Sequence, residues 1–404
     1  VGPGRDLLTI TNASGRVFLM NTVVDTPLTI SELTIADSGN PAEQGAALYC
    51  RSNLTARRVR FENNEASVGA AALLLSQGGS PLTWTFDECE FVGNTVGGQG
   101  GAIIAQGQTA VANTLIIRDS LFDDNTGATG GALSLFPATT GPGNSLQATI
   151  SNTTFSSNQS TGGAGAIFVD SAIGGATSNA TLINCTVTGN SAVASSGGLF
   201  VSNDGDSSMV LRNTIVAGNT AGTIGPDIRC DLAGMVTIGG GNLIGNNANI
   251  TAPIVSGTNV IGTAGSPVDA RLLALANNGG ATRTHALRWD SPAINLGDAA
   301  NLPLDVTDRD ADGNVAEPIP YDQRGGDGVA VGIDFLRTAY TAPDAGAFEV
   351  PTYIVNVVTD APDANPGDGF AVTATPGETS LRAAIMESNV APGPEVIAFD
   401  IPGA

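Results

Sequence analysis

One pattern of apolar and polar positions recurs along most of the chain: a large apolar residue, two small or polar residues, then asparagine. It reads FENN ending at Asn64, FVGN at Asn94, FDDN at Asn125, FSSN at Asn158, VTGN at Asn190 and VAGN at Asn219, at spacings of 30, 31, 33, 32 and 29 residues. A Gly/Ala cluster running into aliphatics follows each of the first five, as in GAAALLL from Gly69 and GGAII from Gly100. Counting back from each Asn, positions −3 (Phe61, Phe91, Phe122, Phe155, Val187, Val216) and −5 (Val59, Cys89, Ser120, Thr153, Cys185, Thr214) face one way. Period-2 patterning in short segments bounded by Gly and Asn predicts strands. Single strands in repeats of about 30 residues must stack on one another to bury a face. The fold class this predicts is all-β: a right-handed parallel β-helix, a solenoid whose coils rise about 4.8 Å each. A loop-rich C-terminal region and one short helix, over Ser380 to Asn389, follow it. Asn is expected at the sharp corners, where it tolerates left-handed backbone. Stacked Asn amides can also bond one another.

Composition sharpens this picture. Glycine fills 53 of 404 positions and aromatics only 5%, so the core must be built from small and aliphatic side chains. All 16 basic residues are Arg, against 38 Asp and Glu, for a net charge of −22. Such a surface repels phosphate backbones and anionic headgroups, which argues against nucleic acid as a partner. No run approaches the roughly 18 to 20 apolar residues of a membrane span, and no basic-then-apolar leader opens the chain, so no membrane insertion is expected in this segment. Cys89 and Cys185 share an inward row three coils, or about 14 Å, apart, too far to bridge. Cys50 and Cys230 fall outside that row.

Residues 28 to 265, with their F-x-x-N and G-G-A-I signatures, resemble the β-helix repeats of bacterial extracellular surface proteins. Further on, SPAINLGD (Ser291 to Asp298), YDQRGGD (Tyr321 to Asp327) and DAGAFE (Asp344 to Glu349) are similar to signatures of the module called choice-of-anchor Q. The stretch ETSLRAAIMESNVAPGPEVIAFDIPG resembles the CSLREA module, with Thr379 in place of its Cys and Ala383 in place of its Glu. Three units follow: β-helix repeats over 1–265, an anchor-like loop-rich end of the β-helix over 266–350, and a CSLREA-like capping or next-module segment over 351–404. The resemblance implies an extracellular or cell-surface location in a bacterium. Its order implies one period of a tandem array, or a subunit whose last segment caps the open column of the next copy.

Candidate chemistry is sparse. The loop Asp305 to Glu317 carries Asp308, Asp310 and Asp312 at alternate positions, then Gly313 and Asn314, like the first half of an EF-hand loop. Ile319 stands where the closing Glu would fall, so Asp305 or Glu317 would complete a calcium shell. The alternative is a solvated acidic loop. Asp123 and Asp124 form the best pair for acid–base work on a polysaccharide, yet they occupy variable turn positions, and the single His285 reads as structural. On the outside, Arg58, Glu88, Asp119, Asn152, Asn184 and Asn213 line up as a polar ladder, a weak candidate for surface glycans or simply a solvated face. Seven N-x-S/T sequons permit glycosylation. The expectation is a non-catalytic structural or adhesive module, calcium-stabilised, associating end to end with other copies. Its alternatives are a polysaccharide lyase or glycoside hydrolase and a glycan-binding module.

Overall fold

The computed structural model describes the chain except residues 22–26, 109, 138–142, 172–174, 203–205, 234, 310–312, 326–341, 368–369, 391–394 and 402–404. Its body is a parallel β-solenoid with three faces: a 17-stranded sheet, an eight-stranded sheet and a six-stranded sheet of two-residue strands. In one coil the chain runs through Ala112–Arg118, bends, continues as Leu121–Asp123, turns into Thr126–Gly127 and returns as Leu133–Leu135. Each strand pairs in parallel with its equivalent one coil on, as Phe91 with Phe122 and Phe122 with Phe155.

Why the repeat is conspicuous follows from the interior. Phe61, Phe91, Phe122 and Phe155 stack with centroids 4.9, 4.3 and 4.7 Å apart and interplanar angles of 4, 8 and 10°. The recurring Asn is fully buried and forms a ladder: Asn64, Asn94, Asn125, Asn158 and Asn190 each donate from Nδ2 to Oδ1 of the next Asn at 2.8 to 2.9 Å. The same Oδ1 also accepts the backbone N–H of the preceding Asn, as Asn125 Oδ1 does from Asn94 at 3.1 Å. Left-handed backbone, expected at Asn itself, falls one residue earlier, on Asn63, Gly93, Asp124, Ser157, Gly189 and Gly218 (φ 51 to 73°). The Asn is free of that duty because its amide is spent inside the column.

Asp227 ends the ladder, its Oδ1 accepting from Asn219 N at 3.1 Å and Nδ2 at 2.9 Å. Burial pushes its carboxyl up to about 6, against the hydrogen bonds from Asn219. An acid raised in this way holds its proton more firmly folded than unfolded. The stability this group contributes is therefore full below about pH 4 and is lost as pH rises through 6. Relative to Asp227→Asn, which cannot ionise, the wild type should lose about 3 kcal/mol between pH 4 and pH 8, read from denaturation midpoints of both proteins at each pH. A difference that stays constant across that range would show that the carboxyl is not strained there.

Cysteine placement agrees with the spacing argument and completes it. All four are reduced and buried. Cys89 and Cys185 sit in a row with Ser120, Thr153 and Thr214, whose hydroxyls bond the backbone of the coil before, as Ser120 Oγ does Cys89 N at 3.1 Å. Cys50 and Cys230 share one inward row of the eight-stranded sheet, separated by six pairing steps, about 29 Å at the strand spacing.

The final coil is short, Leu243 pairing with Val260 and Thr237 with Ile254, and Ile250 and Ile261 pack on the core there. The described residues between 270 and 350 then turn back along the flank instead of extending the column. They include an antiparallel pair, Leu272–Ala276 with Thr284–Leu287, inside the stretch expected to be loop. Ala286, Ala293, Ala345 and Phe348 pack against Ile215, Ala217 and Leu243 of the column. The last segment pairs Thr352–Val355 in parallel with Val396–Phe399 through helix α1, Leu381–Ser388, capped by Ser380. Ala383 and Ala384 face its small core, while Leu381 and Ile385 are 43% and 46% exposed.

Candidate functional site

The polar ladder is where sequence and structure part. Arg58, Glu88, Asp119, Asn152, Asn184 and Asn213 all have left-handed backbone (φ 46 to 53°) at the bend within the long sheet. Five of the six, Glu88 to Asn213, are at most 1% exposed. The expected solvated face is closed, because the returning segment lies across it. Thr282 Oγ1 donates to Asp119 O at 3.0 Å, Asn152 Nδ2 to Tyr321 O at 3.1 Å and Asn213 Nδ2 to Asp298 O at 3.0 Å. Thr154 Oγ1 donates to Gln323 Oε1 at 2.6 Å, and the Ala347 N–H to Thr186 Oγ1 at 3.0 Å. Of the sequons, Asn152, Asn158 and Asn184 are wholly buried and closed to glycosylation in the folded chain.

At one end of this cover the guanidinium of Arg309 enters a carboxylate pocket. Its Nη2 lies 2.7 Å from both Asp87 Oδ1 and Asp119 Oδ2, and its Nη1 lies 3.8 Å from Glu88 Oε1. Column arginines share the charge: Arg58 bonds Glu88, Arg57 lies 3.8 Å from Glu88 Oε1, and Arg118 3.7 Å from Asp87 Oδ1. Burial pushes the Asp119 carboxyl up to about 7 even with Arg309 pulling it down, and burial likewise raises Glu88 against Arg58. The pocket is crowded with anions and shut off from water. That suits anchoring.

The three C-terminal signatures meet one another, which explains their co-occurrence. Asp322 and Arg324, both fully buried, pair at 2.6 Å, with the Arg324 guanidinium 3.7 Å over the Phe348 ring. Asp322 Oδ2 accepts Glu349 N at 2.7 Å, and Asp344 Oδ1 accepts Asn295 N at 2.7 Å. Gln323, between the two charged residues, reaches the column at Thr154.

The acid–base candidates separate. Asp123 Oδ2 pairs with Arg283 Nη2 at 2.9 Å, while Asp124 occupies the next left-handed turn and is exposed. Burial raises the Asp123 carboxyl against Arg283. His285 lies between Leu273 O at 2.8 Å from Nδ1 and Ser156 Oγ at 3.0 Å from Nε2, and burial lowers its pKa. Ser156 is 2% exposed, so this His–Ser contact is a tie between segment and column.

For calcium, Asp310 and Asp312 lie outside the described residues. Asp305 Oδ2 accepts Arg309 N at 2.7 Å, Asp308 Oδ1 accepts Gly313 N at 3.0 Å, and Glu317 Oε2 accepts Asn314 Nδ2 at 3.1 Å. Each described donor of the expected set is engaged inside its own loop, and among the described residues no three acidic, His or Cys side chains gather as a metal shell. Within this loop Asp305 shapes the turn that delivers Arg309. Sequence reasoning missed this role. The available signal was a lone Arg in an otherwise acidic loop. Compared with known protein families, curated proteins and solved structures, the chain matches none.

Proposed function

We propose that the chain is a non-catalytic structural or adhesive module of an extracellular bacterial surface protein or fibre, joined end to end to copies or neighbours of itself. One observation carries the reading. Thr9–Thr11 and Phe18–Met20 pair on one side only among the described residues, and Ile10, Phe18, Met20 and Leu28 belong to the core yet stay partly exposed. An unpaired strand edge with apolar side chains invites a partner. Elsewhere on the molecule an apolar groove lined by Val358, Leu381, Ile385 and Met386 lies open, rimmed by the Asp360–Arg382 ion pair at 2.5 Å. Two unlike apolar surfaces on one chain favour a heterologous contact, which propagates when it does not close. The similarity of 266–350 to choice-of-anchor Q and of 351–404 to CSLREA supports the surface setting. Against the enzyme alternative, the flank on which carboxylates and arginines converge is occupied by the chain's own Thr282, Arg309, Tyr321, Gln323 and Ala347.

Sedimentation velocity over a range of concentrations tests this. The wild type should associate, and Leu381→Asp/Ile385→Asp should remain monomeric with an unchanged melting temperature. A monomeric wild type at every concentration, or an equally associating variant, would refute it.

A further inference from the structure

The long sheet has a second surface that the described residues of the returning segment do not cover. Along it one outward row carries Thr29, Thr55, Thr85, Thr149, Thr181 and Thr237, with Ile116 and Val210 at the remaining two rungs. Two residues back, the adjacent row reads Thr83, Thr114, Gln147, Asn179 and Ser208. Every one of these positions is partly or fully exposed, alternating with buried neighbours. Eight of the thirteen are Thr and none is charged, in a chain of net charge −22. Charge resumes in the next row, at Arg57, Asp87 and Arg118.

The array is also regular in two directions. Successive coils superpose with little rotation, as the stacked phenyl rings at 4 to 10° show, whereas neighbouring strands ordinarily twist by about 20 to 25°. Rungs therefore repeat at about 4.8 Å and the two rows at about 6.6 Å. The rung spacing lies close to the shorter oxygen repeat of the hexagonal ice lattice. A β-branched Thr has few rotamers, so its methyl and hydroxyl recur in fixed places. Methyl groups order the water around them and hydroxyls anchor it by hydrogen bonds.

We propose that this threonine face binds ice. A neutral face suits a lattice without charge and would be a poor match for an ionic mineral. Crystalline polysaccharide, the other flat periodic solid, is gripped by stacked aromatic rings, and neither row contains one. The inference is independent of end-to-end association, since it uses a different surface.

The test is thermal hysteresis of the whole chain, together with its partition into a slowly grown ice front. Wild type should show both. Thr149→Tyr and Thr181→Tyr should lose both without a change in melting temperature, while Thr95→Tyr, exposed on the six-stranded sheet, should retain them. The proposal is overturned if the wild type neither shifts the freezing point nor enters ice, if the face variants keep full activity, or if Thr95→Tyr is as damaging. Retention on crystalline cellulose or chitin without ice activity would overturn it in favour of a sugar surface.

Discussion

Asn125→Ala is expected to be among the most destabilising single substitutions in the column, at about 4 kcal/mol. The side chain holds four hydrogen bonds that no neighbour can replace. Its Oδ1 accepts Asn94 N at 3.1 Å and Asn94 Nδ2 at 2.9 Å, and its Nδ2 donates to Phe91 O and Asn158 Oδ1 at 2.9 Å each. Truncation strands a backbone N–H, an amide hydrogen and a carbonyl in a place without water, each costing about 1 to 3 kcal/mol. A leucine would fill the volume and strand the same groups. Next to it, Asp124→Gly should be neutral or mildly stabilising, because Asp124 is exposed with φ 56° and glycine adopts that backbone freely. Denaturant midpoints compare the two. Similar losses at 124 and 125 would mean that the turn, and not the ladder, holds the coil.

That contrast also explains what the sequence revealed. The period stood out because two interior devices, the phenyl stack and the amide ladder, each work only if the same residue type returns at every coil. The turn residue before each Asn needs only a positive φ, and Asn, Gly, Asp and Ser all supply it, so no letter repeats there. The bend at Arg58, Glu88, Asp119 and Asn152 varied for the same reason and looked like a solvated face. Its cover arrives from Thr282, Arg309 and Tyr321, more than 150 residues later, and a period of thirty carries no trace of a contact at that separation. Thr85, Thr149 and Thr181 stand nine residues before Asn94, Asn158 and Asn190, in step with the inward positions, and only the left-handed bend at Glu88, Asn152 and Asn184 turns them outward. In α1, the tight approach of the strand Thr352–Val355 admits Ala383 and Ala384 and leaves Leu381 and Ile385 at the surface.

Arg309→Ala should free the returning segment while leaving the column folded. The substitution leaves Asp87, Glu88 and Asp119 buried around an absent cation, and breaking a buried ion pair on one side costs about 3 to 5 kcal/mol. The cheaper response is local: the stretch from Asp305 to Gly325 lifts and the carboxylates regain water. Trypsin reports this directly, since the chain has no Lys and Arg324 is fully buried only while the segment is docked. Cleavage after Arg324 should be slow in the wild type and fast in the variant, with Arg309→Lys between them because it restores charge without the two-pronged reach. The defect should also depend on pH. Asp119, already raised to about 7 by burial with Arg309 present, would rise further without it. Below about pH 5 the carboxyl is then neutral and needs no counterion. The excess cleavage of Arg309→Ala should therefore be largest above pH 7 and shrink in acid, as measured with an acid-active protease at the lower pH. Equal protection of Arg324 in all three proteins at pH 8 would mean that the segment is held by its apolar contacts with Ile215 and Leu243 and that the carboxylate pocket contributes nothing to docking.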